Sequence, residues 1–115
     1  MSALPQGAPS AQGEALVTVA RDGGVVRLTL NRPAQFNALS EDLMRAVQAE
    51  LERVAADPGA RVVVLAGAGK AFCAGHDLRE MRATPSHDYY RALFAQCARM
   101  MVTIQQLPQP VIARV

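Results

Sequence analysis

The chain has 115 residues, half of them apolar, with 3 Phe, 2 Tyr and no Trp, and 12 Lys plus Arg against 10 Asp plus Glu. This is the composition of a globular polypeptide large enough for a core, not of a disordered one. The longest wholly apolar runs, such as residues 62–66, fall far short of the roughly 18 to 20 residues a membrane helix needs, so no membrane segment is expected.

The net charge of +2 is uneven. Residues 1–60 carry 5 basic and 7 acidic side chains, and residues 61–115 carry 7 and 3. That leaning suits an anionic ligand, but it lacks the clustered basic stripe of a nucleic-acid binder, and no nucleic-acid partner is expected. Cys73 and Cys97 form no Cys-x-x-Cys pair and no apolar signal region opens the chain, so reduced thiols in a cytosol-like compartment are expected. The alternative is the mitochondrial matrix. The first Arg is Arg21, whereas a transit peptide is rich in Arg, so the cytoplasm is the first expectation.

Residues 1–14 hold Pro5, Gly7, Pro9 and Gly13 among small polar residues and read as a disordered tail. A structured domain is expected over 15–115. Residues 16–20 and 25–30 are β-branched stretches separated by Arg21-Asp22-Gly23-Gly24, which predicts an antiparallel hairpin. In the second stretch Val26, Leu28 and Leu30 share one face, opposite Val25, Arg27 and Thr29. Asn31-Arg32-Pro33 ends it.

Ser40 is placed to cap a helix whose first turn carries Glu41 and Asp42 at the positive end of the dipole. Leu43, Val47, Leu51 and Val54 recur at helical spacing until Asp57-Pro58-Gly59, which predicts about four turns. Residues 62–65 form an apolar run bounded by turn residues, as expected for a strand covered on both faces. Strand, helix, strand predicts a right-handed parallel crossover and an α/β fold class. Ser86 opens a second long helix with Tyr90, Leu93, Phe94, Cys97, Met101 and Ile104 expected on its apolar face, bounded by Pro108 and Pro110. Residues 111–115 begin a further β-branched run within which the sequence stops, so a fragment of a longer protein is expected.

The most informative segment is Gly67-Ala68-Gly69-Lys70-Ala71-Phe72-Cys73-Ala74-Gly75-His76-Asp77-Leu78, a glycine-rich turn leaving a buried strand and entering a helix. Loops at that end of an α/β sheet are where ligands bind. Asp77 followed by Glu80 reads as a capping box, which puts a helix start, and its cluster of main-chain amides, at residues 76–78. Such amides favour a bound anion, or an oxygen that gains charge during a reaction. Phosphate motifs fail here. A Walker loop needs Gly where Val64 stands and Ser or Thr where Ala71 stands, and the dinucleotide fingerprint needs Gly where Phe72 stands.

Four blocks in order carry a resemblance: Asn31-Arg32-Pro33 with Asn37-Ala38-Leu39, then residues 62–67, then residues 71–78, then Pro110-Val111-Ile112-Ala113. Over residues 16–115 the chain resembles the N-terminal half of the crotonase (enoyl-CoA hydratase/isomerase) superfamily. The resemblance implies a crotonase-type ββα spiral, assembly as a homotrimer or homohexamer, and an acyl-CoA thioester ligand, with coenzyme A entering as part of the substrate and no separate cofactor. It further implies that the His76 main-chain amide is one of two oxyanion donors. The carbonyl of Ala74 is a ligand contact, and the segment 35–39 lines the coenzyme A nucleotide site, with Gln35, Phe36, Ala38 and Leu39 as its binding residues. Gly75, His76, Asp77 and Leu78 complete the substrate-binding set. Gln35 stands where members often carry Lys. The second donor and the two glutamates that move protons fall beyond Val115 in the family pattern, so this length of chain alone is expected to be inactive.

Several single residues admit more than one role. The His76 side chain as an acid or base oriented by Asp77 is disfavoured, because adjacent residues at a helix start point apart. Asp77 is read as a helix cap before a ligand contact, Cys73 as a buried thiol before a nucleophile, and Cys97 as core. Cys73, His76 and His87 lack the ligand count of a metal site, and none is expected. Met100 and Met101 read as core or subunit-interface packing. Arg79 and Arg82 are candidates for coenzyme A phosphates or simply solvated. The functional expectation is an enoyl-CoA hydratase or isomerase of fatty-acid metabolism, and the alternative is a non-catalytic CoA-binding or interaction protein.

Overall fold

The structure, a computed structural model, describes residues 15–115. The tail expected over residues 1–14 lies outside them. The order of elements is β1 (Val17–Asp22), β2 (Val25–Leu30), α1 (Glu41–Ala55), β3 (Val62–Gly67), α2 (Leu78–Ala83), α3 (His87–Gln106) and β4 (Val111–Arg114).

The β-branched stretches pair antiparallel from Val17 opposite Leu30 to Asp22 opposite Val25. β1 therefore runs two residues further than the sequence suggested, and the turn shrinks to Gly23-Gly24. Val26, Leu28 and Leu30 are buried while Val25 and Arg27 are exposed, as the alternation requires. β2 and β3 pair in parallel, as do β3 and β4, giving one four-stranded sheet in the order β1-β2-β3-β4.

α1 begins where Ser40 Oγ accepts the Leu43 N–H at 3.1 Å and ends at Ala55, just before Asp57-Pro58-Gly59. Leu43, Val47, Leu51 and Val54 are buried against the sheet together with Met44 and Ala46. Glu50 is buried among them, 1% exposed, and its carboxylate accepts from the Arg53 guanidinium at 2.6 and 2.7 Å. The helical pattern in the sequence gives no sign of it, because periodicity follows apolar positions alone.

Two expectations need correction. β3 is not covered on both faces: Val63 and Ala66 are buried but Val62, Val64 and Leu65 are only partly so. The apolar face of α3 is also turned from the expected one. Leu93 and Met100 are buried, with Tyr89, Cys97 and Ile104 packed beside them, whereas Phe94 and Met101 are 48% and 45% exposed. Adjacent apolar pairs such as Leu93-Phe94 and Met100-Met101 offer two helical faces, and periodicity alone cannot choose between them. α3 packs on α1, where Gln96 donates to the Glu41 carbonyl at 3.1 Å and Gln48 donates to the Thr103 hydroxyl at 2.9 Å. Among the described residues no helix is long and apolar enough to cross a membrane.

Candidate functional site

Two segments that leave the carboxyl ends of parallel strands meet here: residues 31–40 after β2 and residues 68–77 after β3. The first turns sharply. Pro33–Gln35 make a single 3-10 turn, and Phe36 and Asn37 follow with φ of 53° and 56°. The left-handed conformation is tolerable for Asn and costs a residue such as Phe on the order of 1 kcal/mol. The turn aims the main chain of residues 36–39 at the second segment.

The joint is made mostly of main-chain bonds. Ala74 N–H donates to the Phe36 carbonyl at 3.0 Å, Leu39 N–H to the Gly75 carbonyl at 2.7 Å, and Asp77 N–H to the Leu39 carbonyl at 3.1 Å. Leu39 and His76 thus form an isolated parallel bridge. In such a bridge both polar main-chain groups of Leu39 are used and those of His76 point away from it. Among the described residues the His76 N–H donates to no acceptor. Gly75, immediately before it, has φ of 94°, which residues bearing a Cβ rarely adopt, and this sets the direction in which the next peptide faces.

Side chains reinforce the joint. Asn37 is fully buried: its Nδ2 donates to the carbonyls of Ala68 and Ala71, both at 2.9 Å, while its Oδ1 accepts the Arg32 N–H at 2.8 Å. The Arg32 guanidinium donates to the Ala38 carbonyl at 2.6 Å and pairs with Asp77 at 3.2 Å, both side chains mostly buried. Gly67 lets the turn fold back, since a Cβ there would lie 2.4 Å from the Phe72 carbonyl oxygen.

Asp77 caps α2, its Oδ1 accepting the Glu80 N–H at 3.1 Å. The capping box is only half formed, because Glu80 does not reach back. Its carboxylate accepts the Glu41 N–H at 2.9 Å and so ties α2 to the start of α1. Tyr89 adds a bond from α3, its hydroxyl donating to Glu41 at 2.9 Å. Burial, followed by the Glu41 and Glu80 carboxylates, pushes the Tyr89 phenol up to about 12, so it is a fixed donor at neutral pH.

The His76 ring meets Phe94 of α3 edge-on, with centroids 5.1 Å apart at 69°, and its buried Nδ1 has no hydrogen-bond partner among the described residues. Both oxygens of Asp77 serve Glu80 and Arg32, so Asp77 does not orient the imidazole. Beneath the loop lies an apolar cavity of about 70 Å³ lined by Leu30, Leu39, Leu65, Phe72, Cys73 and Met101 among others. Burial, and secondarily the neighbouring Cys73, pushes the Cys97 thiol up, away from the thiolate a nucleophile needs.

The structure therefore brings together the segments 35–39 and 74–78 singled out in the sequence. Gln35, Phe36, Ala74, Gly75 and Leu78 are exposed, Ala38, His76 and Asp77 are half-buried, and Leu39 is buried in the core so that its main chain, not its side chain, meets the loop. Arg79 and Arg82 are exposed on α2. No group of three His, Cys, Asp or Glu among the described residues is placed to hold a metal. Asn37 and Arg32, which the sequence offers only as motif residues, prove to be the side chains that tie the site together. The available signal was an Asn in a turn after Pro, the residue type that accepts left-handed backbone and bonds to nearby main chain.

A hairpin, parallel strands joined through helices and paired loops at the strand ends define a crotonase-type α/β fold. Residues 25–115 match the family profile of enoyl-CoA hydratase/isomerase, and the chain belongs to that family. It is similar to an enoyl-CoA hydratase of Mycobacterium smegmatis, with 58% identity and a TM-score of 0.87 over 89% of this chain and 40% of that one. The human enoyl-CoA hydratase domain-containing protein 3 superposes with a TM-score of 0.81 at 28% identity, over 87% of this chain and 40% of that one. The Xenopus laevis mitochondrial protein of the same name is 38% identical over 100 residues, 87% of this chain. The chain spans 34% of that relative's length.

Proposed function

We propose that the whole protein binds an acyl-CoA thioester and catalyses hydration or isomerisation of an enoyl-CoA in fatty-acid metabolism, with the His76 N–H as one donor of an oxyanion hole. One observation carries this reading: the Leu39–His76 bridge holds the loop by the main chain of Leu39 and leaves the His76 N–H without an acceptor among the described residues. Family membership supplies the substrate class.

The chemistry follows from charge. When water adds to the β-carbon of an enoyl thioester, the electron pair of the double bond moves toward the carbonyl and the thioester oxygen becomes an enolate oxygen. A fixed N–H at that oxygen stabilises the charge as it develops and needs no reorganisation. Protonation of the α-carbon then collapses the enolate. The proton-transfer groups are expected beyond Val115, which agrees with a loop here that offers a main-chain donor and no oriented acid or base. The exposed segments at Gln35–Phe36 and Ala74–Gly75 suit coenzyme A, and the apolar cavity beside Cys73 suits a hydrocarbon end.

The compartment named for the Xenopus relative supports the mitochondrial matrix over the cytosolic expectation. Exposed Phe94, Met101 and Val102 on α3, with Ile112 on β4, offer apolar surface for further polypeptide, in keeping with assembly as a trimer or a pair of trimers. Isothermal titration of the full-length protein with butyryl-CoA, paired with turnover of crotonyl-CoA, tests the reading. Binding with turnover supports it, binding without turnover leaves a CoA-binding protein, and no binding refutes it.

A further inference from the structure

We propose that Asn37 is a positioning residue, which sets the aim of the His76 N–H without touching substrate. This rests on the oxyanion reading of His76 and extends it to a residue in a different segment.

Residues 68–77 form no helix or strand beyond the single bridge at His76, so most of their polar main-chain groups find no ladder or helix to satisfy them. The two ends of this segment are fixed, by the Ala68 N–H donating to the Leu30 carbonyl at 2.8 Å and by the pair of Asp77 with Arg32, and between them it is attached at two further places. Near its far end, Phe36 and Leu39 pair with Ala74, Gly75 and Asp77 through main chain alone, a pairing that any residue type can make. Near its start, the carbonyls of Ala68 and Ala71 are both taken by the one Asn37 amide nitrogen. Only four residues separate Ala71 from His76. A shift at the first attachment is therefore carried into the peptide that presents the His76 N–H.

The site asks for Asn specifically. The backbone at position 37 is left-handed, which favours Gly and Asn. The side chain must donate twice and accept once, in full burial. Gly meets the backbone demand and supplies no donor. Ionised Asp supplies no donor and would set a charge against two carbonyl oxygens. Ser supplies one donor of the two. Asn alone among these satisfies both demands, and every hydrogen of its amide is used.

The test uses the full-length protein with crotonyl-CoA as substrate and butyryl-CoA as binding probe. In N37G, kcat is expected to fall roughly 10- to 100-fold, the penalty of a small misplacement near reacting atoms. Butyryl-CoA affinity is expected to stay within about twofold, as expected of a residue that touches no ligand. N37S, which keeps one donor, falls between N37G and wild type and serves where N37G does not fold. The deciding arm is the cycle with H76P, which deletes the donor. If Asn37 acts through that N–H, N37G or N37S costs less than about twofold in the H76P background. An equal fold-loss in both backgrounds overturns the proposal in favour of a general structural role. Hydrogen exchange over residues 68–78 reads the clamp apart from activity: faster exchange in N37G supports it, and unchanged exchange overturns it. Absence of turnover by the wild-type protein instead sinks the functional reading, and with it the catalytic purpose assigned to Asn37.

Discussion

Replacing His76 by proline deletes the one group on which the functional reading turns, and His76→Ala is its control. The His76 N–H bonds to no acceptor among the described residues, so H76P breaks no protein hydrogen bond. Both variants lose the edge contact of the imidazole with Phe94, worth roughly 0.5–1.5 kcal/mol of stability. They differ in the donor. Losing one donor of an oxyanion hole lowers kcat by about 10² to 10³, or roughly 2.7–4 kcal/mol of transition-state stabilisation. H76A keeps the donor and should stay within a few-fold of wild type. The assay is the rate of loss of the conjugated thioester chromophore of crotonyl-CoA, with full-length protein and thermal melts run alongside. Equal activity of H76P and H76A, both folded, would refute the reasoning.

Three further outcomes follow from the packing. Burial outweighs Arg53 and holds the Glu50 carboxyl above the usual carboxylate range, so the fold favours its protonated form. That favourable contribution is complete below the unfolded value and is lost as pH rises through the higher folded one. E50Q should therefore gain stability over wild type by urea unfolding at pH 7, with the advantage shrinking toward pH 4; an advantage that grows at low pH would contradict this. D77A removes both the α2 cap and the partner of Arg32, while D77N keeps a capping oxygen. D77A should cost about 1 kcal/mol more than D77N, and equal melts would count against the capping role. The raised Cys97 thiol should react with iodoacetamide at pH 8 far more slowly than free cysteine, as peptide mass spectrometry would show.

Much of this was legible in the sequence, for identifiable reasons. The hairpin, α1 and the start of α3 each carry a local signal: glycines between β-branched runs, Ser40 and Ser86 as caps, a stop at Pro58-Gly59. The site was legible as two motifs, 35–39 and 74–78, because each has distinctive turn chemistry. That they meet was implied only by the family resemblance. The main-chain bonds that join them are long-range, and no local pattern encodes them. Asn37 stands in the motif, but its role is hidden for the same reason, since it is defined by carbonyls far along the chain. Glu50 was missed because a buried carboxylate departs from the polar-outside rule that periodicity assumes.

A crystal structure of the full-length protein bound to an unreactive acyl-CoA is the most direct measurement. It is expected to find the thioester oxygen about 2.7–3.1 Å from the His76 nitrogen, with the loop still bridged to Leu39. A thioester lodged elsewhere, or a His76 N–H donating to the protein's own later segments, would contradict the account.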